Sequence, residues 1–96
     1  MDINIIEMAE IFDVLSNSVR LCILTNLYFH TEKNVGGLQT CAGASQSVVS
    51  QQLAKLKALG IISSKKIGNE VYYHISNEVV KKILKIMFEN GLNIQK

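Results

Sequence analysis

Apolar side chains recur at three- and four-residue steps over residues 3–15, where Ile5, Met8, Ala9, Phe12 and Leu15 share one side of a helix. Ser16-Asn17-Ser18 interrupts the pattern and offers capping side chains to a second helix over 19–29, in which Leu21, Leu24, Leu27 and Tyr28 repeat at helical spacing. A polar loop is expected from His30 to Asn34. Gly36 and Gly37 are weak helix formers, so residues 35–42 predict only a short helix, from about Leu38 to Ala42, ended by Gly43. Ser45 then caps a longer helix over 46–59, which Gly60 terminates. Short helix, tight turn and longer helix make a helix-turn-helix. Residues 61–67 and 71–75 are rich in β-branched and aromatic side chains and flank Gly68-Asn69, a pair suited to a two-residue hairpin turn. A hairpin in that place is a wing. Ser76 or Asn77 caps a last helix, where Val79, Val80, Ile83, Leu84, Met87 and Phe88 form a broad apolar stripe. The pattern predicts a mostly α fold with a small β-hairpin (α+β): a winged helix-turn-helix of five helices and a two-stranded wing, one domain over residues 1–96.

The chain has 96 residues, so its core is limited and association is an expected source of further stability. Apolar residues at 48% and charged residues at 19% exclude a disordered chain. No apolar run approaches the roughly 18 residues that span a bilayer, and the start MDINIIEMAE lacks the basic and continuous apolar regions of a signal peptide. A cytoplasmic location without membrane partners is expected.

Net charge is +2, and its distribution is more informative than its size. Residues 1–44 carry Arg20 and Lys33 against Asp2, Glu7, Glu10, Asp13 and Glu32, whereas residues 45–75 carry Lys55, Lys57, Lys65 and Lys66 against Glu70 alone. A basic middle segment beside an acidic start suggests one anion-facing surface.

That surface coincides with the second helix of the helix-turn-helix. Val49, Leu53 and Leu56 share one face and are expected in the core. The faces turned away carry Ser47, Ser50, Gln51, Ala54 and Lys55, with Ser45 and Gln46 at the N-terminus. Glutamine can pair with adenine through both its amide groups, and serine adapts to donors or acceptors. Ala54 permits close approach, and Lys55 can reach a phosphate. A merely solvated helix face usually includes acids, and 46–60 holds no Asp or Glu. In the wing, Lys65, Lys66 and Asn69 are candidates for backbone or minor-groove contact, although lysines also protect an edge strand from aggregation. Double-stranded DNA is the expected partner.

The run SQSVVSQQLAKLKALGIISSKKIGNEVYYHI resembles the ArsR-type (ArsR/SmtB) winged-helix transcriptional repressors. Ser45, Gln46, Ser47, Val49, Ser50, Leu53, Leu56, Gly60, Val71, Tyr72 and Tyr73 stand in the family's order, and LSNSVRLCIL resembles its second-helix opening with Arg20 and Leu21 in place. The resemblance spans about residues 6–88. It implies a homodimer that reads an inverted-repeat operator and represses until an effector acts, with the first and last helices as its interface. The apolar stripes Ile5, Met8, Phe12 and Val80, Ile83, Met87 exceed what one small domain can cover and are assigned to that interface.

The resemblance also frames the effector. Many such regulators bind metal through a Cys-x-Cys pair, but the matching positions are about Asn34, Val35 and Gly36. Others bind zinc with Asp and His on the last helix, and SNEVVKKILKIMF has neither. No metal and no cofactor are expected. The closest likeness is to the metal-free HlyU/BigR-like branch, which senses oxidants or sulfur species through two cysteines, usually one on an early helix and one on the last. Cys22 and Cys41 are the only thiols here, and neither is on the last helix. Cys22, between Leu21 and Ile23, reads as a core filler. Cys41, beside a polar turn, is the candidate reactive thiol with Cys22 as its partner. Pairing needs Cα atoms within roughly 4.4–6.8 Å, a separation that only the fold decides.

An enzyme is not expected. No nucleotide-binding glycine loop or Ser/His/Asp arrangement occurs, and His30 and His74 are isolated. The alternatives to a thiol-responsive repressor are a regulator without an effector and a winged-helix module that binds protein, for which an apolar reading face would be expected.

Overall fold

A computed structural model describes residues 4–30, 33–34 and 41–89. Helix α1 runs over Ile5–Leu15 and α2 over Ser18–His30. A two-residue strand, β1, covers Lys33–Asn34, and a single 3₁₀ turn covers Cys41–Gly43. Helix α3 spans Gln46–Ala58, strands β2 and β3 span Ile62–Ile67 and Glu70–Ile75, and α4 spans Glu78–Glu89.

Each helix starts on a capping side chain that takes up an otherwise unpaired backbone N–H. Asn4 Oδ1 accepts from Glu7 N at 2.9 Å, and Asn17 Oδ1 accepts from Val19 N and Arg20 N at 2.9 and 3.0 Å. Ser45 Oγ accepts from Val48 N at 3.2 Å, as expected. Asn77, rather than Ser76, caps α4, accepting from Val80 N at 2.9 Å. Helix α3 ends in a Schellman arrangement: Gly60 takes φ +75°, Gly60 N donates to Lys57 O and Ile61 N to Leu56 O.

Four α-helices occur among the described residues, not the five expected. The short helix expected at about Leu38–Ala42 falls partly on residues 38–40, which lie outside the described set. Over 41–43 the chain makes only a 3₁₀ turn, because Ala42 takes φ 50° and Gly43 φ 71°, left-handed values that stop a right-handed helix.

The wing follows the expected hairpin. Ile62 pairs with Ile75 and Ile67 with Glu70, leaving Gly68-Asn69 as the turn. Gly68 takes φ +62°, which suits the first place of a type II′ turn. β1 pairs antiparallel with β3 through Lys33↔Tyr73 and Asn34↔Tyr72, so the sheet has three strands in the order β1-β3-β2. The expected loop at 30–34 therefore contains a short strand.

The core gathers Ile23, Leu24 and Leu27 of α2, Val49, Leu53 and Leu56 of α3, Ile62 and Ile75 of the sheet, and Val80 and Leu84 of α4. Burying each such side chain is worth about 1.5–3 kcal/mol. At the far end of α2, Phe29 packs edge-to-face against Tyr28 and Phe88, which are tilted to each other, with centroids 5.1–6.2 Å apart, and the Tyr28 hydroxyl donates to the Glu89 carboxylate. That carboxylate holds the Tyr28 phenol above its ordinary pKa. Among the described residues no helix is long and apolar enough to cross a membrane.

Candidate nucleic-acid interface

α3 is fastened from one side. Val49, Leu53 and Leu56 are fully enclosed, whereas Ser45, Gln46, Ser47, Ser50, Gln51, Ala54 and Lys55 are all exposed. The three buried residues anchor the helix on α2, and the polar set faces outward along its whole length. Exposed Lys57 joins Lys55 in the last turn. Two lysines there also suit the negative end of the helix dipole.

The wing adds a second exposed set. Lys65, Lys66 and Asn69 are all exposed. Lys65 lies opposite Tyr72 and Lys66 opposite Val71, so the two lysines project from opposite faces of the hairpin. The acid nearest the tip, Glu70, accepts from the Tyr72 hydroxyl at 3.0 Å. Helix face and wing together form a surface rich in polar and basic side chains, interrupted by exposed Val48, Leu59, Ile67 and Val71, with Glu70 its one acid between residues 45 and 75.

Behind that surface lies a residue whose part the sequence pattern did not bring out. Arg20 is the only arginine in the chain and is 6% exposed. Its Nε donates to Val14 O at 2.9 Å, its Nη2 to Asp13 O at 3.1 Å and its Nη1 to Gln52 Oε1 at 2.9 Å. A lone arginine among Val19, Leu21 and Ile23 is the signal that could have marked it, since a charge is buried only where it is well bonded.

Residues 17–64 match the family described as bacterial regulatory protein, arsR family. The chain belongs to the ArsR family. It is 38% identical over 76 residues to the nodulation protein NolR of Rhizobium meliloti, covering 79% of this chain and 62% of that one. With the transcriptional repressor PagR of Bacillus anthracis it shares 33% identity over 79 residues, 82% of this chain and 79% of the relative. The solved structure of HlyU from Vibrio cholerae superposes with a TM-score of 0.80 at 31% identity, covering 91% of this chain and 94% of that one. ArsR-family members are winged-helix DNA-binding transcription regulators, and the α3 face and wing are this member's candidate reading surface.

Two further features lie outside that surface. α1 and α4 flank a groove of about 440 Å³ lined by Met8, Ile11, Phe12, Val79 and Ile83 among others. Ile5, Met8 and Phe12 are exposed as expected, Phe12 at 63%, while Ile83 and Met87 are half-buried. Val80, however, is 0% exposed and belongs to the protomer core, so it has no surface to offer a partner. One step round the helix, Val79 and Ile86 take the outward places, at 54% and 61% exposure.

Cys22 on α2 and Cys41 in the 3₁₀ turn are joined by a disulfide, with Cα atoms 5.5 Å apart. Cys41 is buried at 3% exposure, not accessible beside a polar turn as its neighbours suggested, and Cys22 is the half-buried member of the pair. The neighbours of Cys41 are set by the fold: the turn folds back onto α2, and Asn26 Nδ2 lies 3.4 Å from Cys41 Sγ and 3.6 Å from Cys22 Sγ. No group of three or more His, Cys, Asp or Glu is gathered among the described residues. Of the family's metal-site positions, Asn34 is on β1, while Val35 and Gly36 lie outside the described set.

Proposed function

We propose that this chain is a cytoplasmic, homodimeric repressor that reads an inverted-repeat operator, each protomer being one winged-helix unit extended by its terminal helices. The observation that carries the reading is the acid-free outer face of α3, held by Val49, Leu53 and Leu56 and flanked by the lysines of the wing. In this reading Gln46, Ser47, Ser50 and Gln51 address base edges, and Ser45, Lys55, Lys65, Lys66 and Asn69 engage the sugar–phosphate backbone. The relative PagR is named a repressor and supports the sign of regulation. An apolar face turned outward would have favoured protein binding, and on the outward side of α3 Val48 is a single large apolar side chain among Gln46, Ser47, Ser50, Gln51 and Lys55.

The partner copy covers the groove between α1 and α4 through Ile5, Met8, Phe12, Ile83 and Met87, joined by Val79 and Ile86. Control is exerted through Cys22 and Cys41. Oxidation joins the two sulfurs as two protons and two electrons pass to a low-molecular-weight disulfide, whose S–S bond breaks and which leaves as two thiols. Entry is at Cys22, the less buried sulfur. The bond ties α2 to the turn four residues before the Ser45 cap and lowers DNA affinity by stiffening the approach to α3, which then cannot adjust to the operator on binding. No metal or cofactor takes part.

A mobility-shift assay on the DNA upstream of the protein's own coding region, with reduced and oxidised protein, tests this. A retarded complex that is tighter with reduced protein is expected. Equal affinity in the two redox states would leave a regulator without a thiol effector, and no preference for the upstream DNA would reject the DNA-reading proposal.

A further inference from the structure

Arg20 joins two elements with different tasks. Its backbone is set by the α2 cap, with Arg20 N donating to Asn17 Oδ1 at 3.0 Å. From there the side chain runs back to the last turn of α1, to the carbonyls of Asp13 and Val14, the former also accepting from Ser16 N at 3.1 Å and Ser16 Oγ at 2.7 Å. These carbonyls form the negative end of the α1 dipole, a favourable place for a cation. The third bond leaves this corner altogether and reaches Gln52, 32 residues away on α3.

A guanidinium is flat and its donors diverge at fixed angles, so three bonds from one such group fix three acceptors relative to each other. Two of the acceptors belong to the helix that carries exposed Ile5, Met8 and Phe12, and the third to the helix that carries the outward Gln51 and Lys55. Gln52 itself is half-buried, and its Oε1 accepts from Arg20.

We infer that Arg20 and Gln52 are positioning residues for DNA recognition, fixing the angle between α1 and α3. The inference rests on the proposed dimeric reading function. In a two-fold dimer, α1 sets how the protomers meet and α3 sets what each reads. The two reading helices must lie about one turn of DNA, roughly 34–36 Å, apart. A change in the α1–α3 angle is repeated in both protomers and misplaces both helices. Attraction to phosphates is insensitive to such an error, whereas pairing with base edges is not.

The variants are Gln52→Met, which keeps length and removes the acceptor, Arg20→Lys, which keeps charge and removes the fork, and their combination. Each is titrated against a duplex from the protein's own upstream region and a scrambled duplex of equal length at one salt concentration. Sedimentation gives the mass, and stoichiometric titration gives the DNA-active fraction. Gln52→Met should lose about tenfold on the upstream duplex, the scale of one lost charge-assisted hydrogen bond. Affinity for scrambled DNA, mass and active fraction should stay as in wild type. The double variant should be no weaker than the weaker single one, as expected for two residues in one interaction. Gln52→Met that binds both duplexes as wild type does would overturn the inference alone. Losses that merely track a falling active fraction would also overturn it, by showing a folding role. Wild type without preference for the upstream duplex would remove the DNA-reading proposal and this inference with it.

Discussion

Cys22 and Cys41 are bonded across 19 residues of chain, tying the middle of α2 to the turn that leads into α3. Closing a loop of that length restricts the unfolded chain and is worth about 3 kcal/mol in the chain-entropy account. Chemical denaturation of the oxidised protein should therefore show a midpoint above that of Cys22→Ser/Cys41→Ser, with reductant bringing wild type down to the double variant. Coincident curves for oxidised wild type and the double variant would show that the bond contributes nothing.

Redox control is a separate prediction about binding. Reduced wild type and Cys41→Ser should bind the operator alike, and oxidised wild type about tenfold more weakly, a shift of roughly 1.4 kcal/mol in the binding-competent equilibrium. Anisotropy titrations in dithiothreitol and in oxidised glutathione measure it. A loss on oxidation that persists in Cys41→Ser would place the sensitivity elsewhere.

α1 and α4 were legible as helices, yet the direction of the α4 stripe was not. Val79, Val80, Ile83, Leu84, Ile86, Met87 and Phe88 cover more than half of the helix circumference, so periodicity alone cannot tell the core side from the free side. Packing settles it: Val80 and Leu84 face inward and Val79 and Ile86 outward. Phe12→Glu should thus give a folded monomer with lost operator binding, while Val80→Glu should fail to fold, because an unpaired buried charge costs several kcal/mol. Sedimentation and far-ultraviolet circular dichroism distinguish the two. A folded Val80→Glu monomer would contradict the placement of Val80.

The reading face was the most legible part of the molecule. The spacing of Val49, Leu53 and Leu56 fixes which side of α3 is buried, and the Ser45 cap and Gly60 stop fix its ends. What escaped detection depends on contacts distant in sequence. β1 is two residues long and exists only through pairing with Tyr72 and Tyr73. The burial of Cys41 and the reach of Arg20 to Gln52 likewise come from how helices meet, which local patterning does not encode.

Division of labour on that face has its own signature. Lys66→Ala should weaken binding to all duplexes alike and flatten the salt dependence. Gln51→Ala should cost about 1–3 kcal/mol on the operator alone and relax preference at one base pair. Titrating both variants against single-base operator variants measures this, and identical behaviour of the two would refute the assignment.

Lys55, Lys57, Lys65 and Lys66 are exposed, which gives eight lysines in a dimer. If about six to eight of them neutralise phosphates, log affinity should fall against log salt with a slope of roughly −5 to −7. A slope near zero would mean that the basic surface does not face DNA.

The central claim is sequence-specific reading of two half-sites by one dimer. Fluorescence anisotropy at fixed, near-physiological salt should compare three duplexes of equal length: the inverted repeat upstream of the coding region, the same duplex with one half-site scrambled, and a fully scrambled control. The account predicts that reduced protein binds the intact repeat at least about 10³-fold more tightly than the control, with a stoichiometry of two chains per duplex and a large loss when one half-site is scrambled. Equal affinity for all three duplexes, or binding of one chain per duplex without regard to the second half-site, would contradict it.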